Sequence, residues 1–262
     1  MDELRVGCVQ MEVLPGNVAG NLDKMKAVLP RLRDRGCQLA VLPEMWAGGF
    51  VTSALPEMAA ATPMVLGRLQ EWAAHYGVAL IGSLPEAEGG RIFNTSHVVD
   101  SNGEIVGQYR KMHLFSLTGE PDQFHRGLAH LVCDTTVGRI GVAICYDLRF
   151  PEFIRRLALD GAQIICLSAL WPVPRVDHWS LLLRSRAIEN QLFVIGCNGC
   201  GIEGKTHYGG ASAIISPTGK VLAEAGREEE LATARLDFAE MESFRRHLTC
   251  FADRLPGSYG IV

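Results

Sequence analysis

The sequence predicts an α/β fold, from two features of its pattern and one of its composition. Short apolar runs of strand length alternate with longer stretches in which hydrophobic residues recur every three or four positions. Two pairs of strand-like runs flank tight turns, which adds antiparallel hairpins to the sheet. Hydrophobic residues make up 48% of the 262 and charged residues 21%, enough apolar side chains for a large core. Two sheets packed face to face with helices outside would absorb this many strands. Periodicity alone leaves one doubly wound sheet as the alternative.

Taken in order, Leu4–Met11 is the first strand, with Val6, Cys8 and Gln10 alternating with Gly7, Val9 and Met11. Asn17–Arg35 is a helix, because Leu22, Met25, Leu29 and Leu32 share one face and Gly36 stands where a C-terminal cap belongs. Leu39–Leu42 is a short buried strand, Pro63–Tyr76 a helix and Val78–Gly82 a strand. Arg91–Arg110 forms two strands around the turn Asp100-Ser101-Asn102-Gly103, and Leu131–Cys133 pairs with Arg139–Ile144 in the same way. Glu152–Asp160 is helical, Gln163–Ser168 a strand, His178–Asn190 a helix and Leu192–Cys197 a strand. Further strands are expected at Gly210–Ile215, Lys220–Glu224 and Glu230–Arg235. No repeat or Pro/Ser-rich linker cuts the chain, so a single domain over residues 1–262 is expected.

Several function classes drop out on charge and composition. Net charge is −4 and the apolar content high, which excludes intrinsic disorder. A pI near 6.1 gives no basic excess for nucleic acid. The opening Met1-Asp2-Glu3 is acidic with no apolar stretch behind it, and no run approaches the ~18–20 apolar residues of a membrane helix. A cytoplasmic protein with no membrane contact is expected, its 8 Cys reduced. Cys197-Asn198-Gly199-Cys200 lacks the second ligand pair of a zinc site, the His residues lack HExxH spacing, and no glycine-rich phosphate loop occurs. No metal and no cofactor are expected.

Three segments carry chemistry. In Ile144-Cys145-Tyr146-Asp147-Leu148-Arg149-Phe150-Pro151-Glu152 an apolar strand runs into a Cys, then a polar turn, then a Pro suited to a helix's first turn. Backbone N–H groups at such an elbow favour the thiolate. Most cysteines are small core residues, and Cys145 alone would read that way. Leu42-Pro43-Glu44-Met45-Trp46 places a carboxylate, and Tyr109-Arg110-Lys111-Met112-His113-Leu114-Phe115 an ammonium, just past buried strands. Strand ends hold the chemistry in α/β sheets, so Glu44, Lys111 and Cys145 can meet at one edge. A Cys145–His113 pair is the competing arrangement.

Together these three segments resemble the nitrilase superfamily of carbon–nitrogen hydrolases, along nearly the whole chain from Val6–Gln10 to the tail Arg254–Gly260. The resemblance implies a four-layer α-β-β-α sandwich and a Glu–Lys–Cys triad. Cys145 is then the nucleophile, Glu44 the general base and Lys111 the cation supporting the tetrahedral intermediate, with the backbone N–H of Tyr146 as a second oxyanion donor. Glu120, in Thr118-Gly119-Glu120-Pro121, stands where many relatives carry an additional active-site Glu. A solvated loop acid is its other reading.

Classical nitrilases have Trp-Glu after the Cys; here Tyr146-Asp147 follow, which argues against nitriles as substrates. Tyr146–Pro151, Leu170–Arg175, His178-Trp179 and Arg184–Gln191 are similar to the amidase branch, and most to bacterial ω-amidases. These release ammonia from the terminal amide of 2-oxoglutaramate or 2-oxosuccinamate. Arg149 or Arg175 would anchor the distal carboxylate, with Trp171 and Phe115 as apolar walls. The other reading of Arg149 is a salt bridge to Glu152 or Asp147. Glu189 and Asn190 are expected to serve packing and capping, and Trp179, Leu182 and Leu183 the core or a subunit interface. Deaminated glutathione and N-carbamoyl compounds are alternative substrates, and a catalytically idle scaffold the alternative from another class. The resemblance also implies a homodimer or higher homo-oligomer, in which the tail Phe251–Val262 lies on a partner subunit.

Overall fold

The computed structural model describes residues 3–259. Along the chain run β1 (Glu3–Gln10), α1 (Val18–Asp34), β2 (Leu39–Val41), α2 (Leu55–Tyr76), β3 (Ala79–Glu88), β4 (Arg91–Val99) and β5 (Ile105–Arg110). There follow β6 (Val132–Thr135), β7 (Gly138–Ile144), α3 (Pro151–Leu159), β8 (Ile164–Ala169), α4 (Val176–Asn190) and β9 (Phe193–Asn198). The last elements are β10 (Ile202–Glu203), β11 (Thr206–His207), β12 (Ala213–Ile215), β13 (Val221–Glu224), β14 (Glu230–Asp237) and α5 (Phe238–His247).

The strands form two six-stranded sheets, ordered β14-β1-β2-β3-β4-β5 and β13-β12-β9-β8-β7-β6. Each has a parallel centre, β1-β2-β3 in one and β7-β8-β9 in the other, flanked by antiparallel pairs. The expected alternation decides which residues face the partner sheet. Val6, Cys8, Val41, Ile81 and Val98 pack against Val142, Ile144, Cys166 and Ile195 in one buried cluster. The opposite face of the first sheet, through Val9, Ala40, Leu42 and Leu80, takes the apolar stripes of α1 and α2. Phe153, Ile154 and Leu157 of α3 and Trp179, Leu183 and Ala187 of α4 cover the second sheet. Each such aliphatic side chain contributes roughly 1.5–3 kcal/mol on burial. The result is the helix–sheet–sheet–helix sandwich, and the doubly wound alternative is set aside.

Four expectations shift. Helix α2 starts at Leu55 rather than Pro63: Pro56 occupies its first turn, and Pro63 lies inside. The Ala-rich run 59–61 carries the helix through, and burial of Leu55, Met58 and Ala59 outweighs one missing hydrogen bond. Strand β3 continues past Gly82 to Glu88 and pairs with β4 in nine register pairs, Leu80↔Val99 to Glu88↔Arg91, although Ser83, Pro85 and Glu86 break its apolar pattern. Strand β12 begins only at Ala213, because Gly210 and Ala211 are left-handed (φ 58° and 54°). Helix α5 was not expected. Its signal is Asp237, whose carboxylate accepts from the N–H of Ala239 and Glu240 as an N-cap.

Trp179 and Leu183 are core residues, and Asn190 donates to the Arg186 carbonyl within α4, the packing role expected for it. All eight cysteines are free. No described helix is long and apolar enough to cross a membrane. Of the expected tail, residues 260–262 lie outside the described residues; Phe251 packs its ring 4.7 Å from the Arg155 guanidinium.

Candidate active site

Three strand ends deliver three reactive side chains to one place. Glu44 lies three residues beyond β2, its N–H donating to the Ala169 carbonyl at the end of β8 (3.3 Å). Lys111 directly follows β5 and Cys145 directly follows β7. Cys145 takes a left-handed conformation (φ 45°) and opens a 3₁₀ turn, Cys145–Arg149, with Pro151 next at the start of α3. A non-glycine residue held there stores about 1–2 kcal/mol of strain, which the surrounding contacts must offset.

Lys111 is only 1% exposed, so its ammonium needs partners. Its Nζ donates to Glu44 Oε1 (2.8 Å) and to both oxygens of Glu120 (2.8 and 2.9 Å). Glu44 Oε1 also accepts from Asn94 Nδ2 (2.8 Å) and its Oε2 from the Leu170 N–H (3.0 Å). Glu120 Oε2 accepts from the Phe115 N–H (2.6 Å), so Glu120 is a buried member of the cluster and not a solvated loop acid.

The charges are unequal, two carboxylates to one ammonium beside a thiol. Burial works against the Lys111 charge, but Glu44 and Glu120 outweigh it and hold its pKa above the ordinary 10.5. Burial and the nearby Glu120 raise Glu44 above 4.5 despite Lys111. Burial and the Glu44 charge push the Cys145 thiol well above 9. Burial and the Glu44 charge thus act against the thiolate that the backbone dipoles are expected to favour.

A cavity of about 1000 Å³ opens over this cluster, and all nine candidate residues line it: Glu44, Lys111, Phe115, Glu120, Cys145, Tyr146, Arg149, Trp171 and Arg175. The Arg149 guanidinium lies 4.6 Å over the Trp171 ring with both terminal nitrogens 3.4 Å from His178 Nδ1. It makes neither the Glu152 nor the Asp147 salt bridge weighed from sequence. Arg175 sits 5.5 Å over the Phe115 ring. His113 gives its Nδ1 to Asp147 (2.7 Å) and stacks on Phe150; it makes no hydrogen bond to Cys145 and does not line the cavity. No group of three or more His, Cys, Asp or Glu able to hold a metal ion occurs among the described residues.

Sequence reasoning missed Asn94, which bonds Glu44 from β4 of the first sheet and carries no chemical signal of its own. It also missed the β10–β11 hairpin at the cavity rim. Glu203 there accepts from the Phe50 N–H and the Tyr208 hydroxyl (2.7 Å each), tying the hairpin to the loop after Glu44.

A nucleophilic thiol, a carboxylate with raised affinity for a proton and a fixed ammonium are the parts of covalent acyl transfer. Known proteins resemble the chain along most of its length. The chain is 36% identical over 254 residues to the 2-oxoglutaramate amidase of Bacillus subtilis, covering 95% of this chain and 96% of that one. It is 38% identical over 237 residues to the hydrolase in the agr operon of Staphylococcus lugdunensis, covering 87% and 99%. The crystal structure of the carbon-nitrogen hydrolase from Helicobacter pylori G27 superposes with a TM-score of 0.93 at 26% identity, over 98% of this chain and 97% of that one. The carbon-nitrogen hydrolase family profile matches residues 5–246. By that match the chain belongs to the carbon-nitrogen hydrolase family, hydrolases that act on carbon–nitrogen bonds.

Proposed function

We propose that the chain is an amidase that forms a thioester on Cys145 and acts on short 2-oxo acids bearing a terminal amide. 2-Oxoglutaramate and 2-oxosuccinamate are its substrates, the 2-oxo acid and ammonia its products. The observation that carries this reading is the polarity of one cavity. The thiol, carboxylates and ammonium lie at its buried end, while Arg149 and Arg175 line the same space with no carboxylate partner among the described residues. A small molecule with an amide at one end and a carboxylate at the other fits that arrangement. The name of the Bacillus subtilis relative points to the same substrate.

In the proposed mechanism Glu44 accepts the Sγ proton as sulfur adds to the amide carbonyl carbon. The oxyanion meets the Lys111 ammonium and the N–H of Tyr146, which lies in the first turn of the 3₁₀ segment Cys145–Arg149 and so has no acceptor within it. Glu44 returns the proton to nitrogen as the C–N bond breaks, and ammonia leaves. Water then gives a proton to Glu44 as its oxygen adds to the thioester; collapse releases the acid and restores the thiol. Glu120 holds Lys111 in place and is the candidate second acid–base group.

The test is ammonia release across 2-oxoglutaramate, 2-oxosuccinamate, deaminated glutathione, an N-carbamoyl amino acid, an aliphatic amide and a nitrile, with Cys145→Ala as blank. Turnover concentrates on the two 2-oxo amides and vanishes in the blank. Arg149→Leu raises KM for them about 10- to 100-fold, the loss of a charged hydrogen bond worth roughly 1.5–3 kcal/mol. Turnover on another amide keeps the mechanism and discards the substrate. Silence throughout, with Cys145 unreactive, leaves an idle scaffold.

A further inference from the structure

Asp147 is fully buried, yet it belongs neither to the Lys111 cluster nor to an arginine. Its Oδ2 accepts from the Tyr109 hydroxyl and from the Ile144 N–H, each at 2.8 Å. Its Oδ1 accepts from His113 twice, through Nδ1 at 2.7 Å and through the backbone N–H at 3.2 Å. A buried carboxyl group with four hydrogen-bond donors has its oxygens satisfied, which answers why an acid is tolerated there.

The positions of those donors in the chain matter more than their number. Tyr109 and His113 stand two residues before and two after Lys111. Ile144 and Asp147 bracket Cys145, whose left-handed backbone must be held from outside. A single side chain thus ties the loop that carries the ammonium to the elbow that carries the thiol. No other side-chain hydrogen bond among the described residues joins these two segments. The ring of His113 is itself fixed, stacked 3.7 Å from Phe150 and edge-on to Phe153. The Tyr109 hydroxyl also accepts from the Met112 N–H (3.1 Å), closing the loop on itself.

We infer that Asp147 is a positioning residue for the hydrolysis: its carboxylate fixes the separation of the Lys111 ammonium from the Cys145 sulfur. It touches no substrate and acts through both of them. The inference rests on the proposed roles of Lys111 and Cys145, not on which amide is the substrate. A misplacement of about 1 Å between reacting groups costs on the order of 10²-fold in rate.

Two readouts test it in the full-length chain. The first is kcat and KM for whichever amide is turned over. Asp147→Asn keeps the shape but places a donor where two donors already point, and it lowers kcat about 100-fold with KM within about threefold. Because that variant can also lose stability, His113 supplies a second comparison. His113→Asn puts an amide nitrogen where Nδ1 stood, whereas His113→Gln reaches only the position of Nε2; both lose the stack on Phe150. His113→Gln falls about tenfold further in kcat than His113→Asn. The second readout needs no substrate: alkylation of Cys145 by iodoacetamide against pH. Glu44, Lys111 and Glu120 are the charges facing that thiol, and Lys111 alone lowers its pKa. Losing the clamp therefore moves the alkylation midpoint to higher pH in His113→Gln than in His113→Asn, a pair that leaves the Asp147 carboxyl in place. Equal loss in the two His113 variants, a change confined to KM, or an unmoved midpoint overturns the inference. If no amide is turned over but the midpoint shifts, the clamp stands and the substrate reading falls.

Discussion

Cys145 and Glu44 set the pH behaviour at the scale of the residue. Burial and the nearby Glu120 raise the Glu44 pKa above 4.5, and in the proposed mechanism Glu44 must be ionised to accept the thiol proton. Activity is therefore lost as pH falls through that raised value, and the acid limb of kcat/KM lies above the range of an ordinary glutamate. A profile measured from pH 4 to 9 on the preferred amide shows this limb, and a limb centred at or below 4.5 contradicts the assignment of the base. The limb belongs to Glu44 together with Lys111 and Cys145, whose charges act on one another. These were the residues most legible in the sequence, because each is a reactive type placed one to three positions beyond a buried strand. Asn94 was not legible: an asparagine inside a strand looks like any polar position until the chain 50 residues earlier folds against it. Asp147 was visible only as part of the Tyr146-Asp147 departure from nitrilases and as an acid near Arg149. Its partners lie 34 and 38 residues away and appear only when β5 and β7 are brought together.

At the scale of the element, the site depends on how closely the loop after β5 is packed. The N–H of Gly127 donates to the Lys111 carbonyl (2.9 Å), and a Cβ at Gly127 would land on the Arg110 carbonyl. The backbone cannot give way without moving Lys111. Gly127→Ala is expected to destabilise by about 1–3 kcal/mol, as overpacking does, and to lower kcat as well. Thermal melts and kinetics on the same sample check this; an unchanged Tm with full activity contradicts the tight contact. Strand positions were legible from alternation and hairpins from their turns. The ends were not: Pro63 resembled a helix start because a proline fits a first turn, and packing of Leu55 and Met58 overrode it. Helix α5 was hidden because its apolar face is thin, with Phe238 and Met241 its buried residues.

For the whole molecule, the two sheets share an order of events. In each, a parallel centre aims strand ends toward the same rim, and β2, β5 and β7 place Glu44, Lys111 and Cys145 there from both sheets. The face-to-face arrangement is needed for this, since a single doubly wound sheet would not bring an ammonium from one sheet over a thiol from the other. Sequence periodicity could not choose between the two, because it reports which face of a strand is apolar and not what covers that face. The claim most exposed to refutation is the covalent one. Wild-type protein is mixed with 2-oxoglutaramate, quenched in acid within the first turnovers and digested, and the Cys145 peptide is weighed by mass spectrometry. The account predicts the 2-oxoglutaryl group as a thioester on Cys145, absent when Cys145→Ala is used. Ammonia released with the Cys145 peptide unmodified, or the acyl group found on another residue, would contradict it.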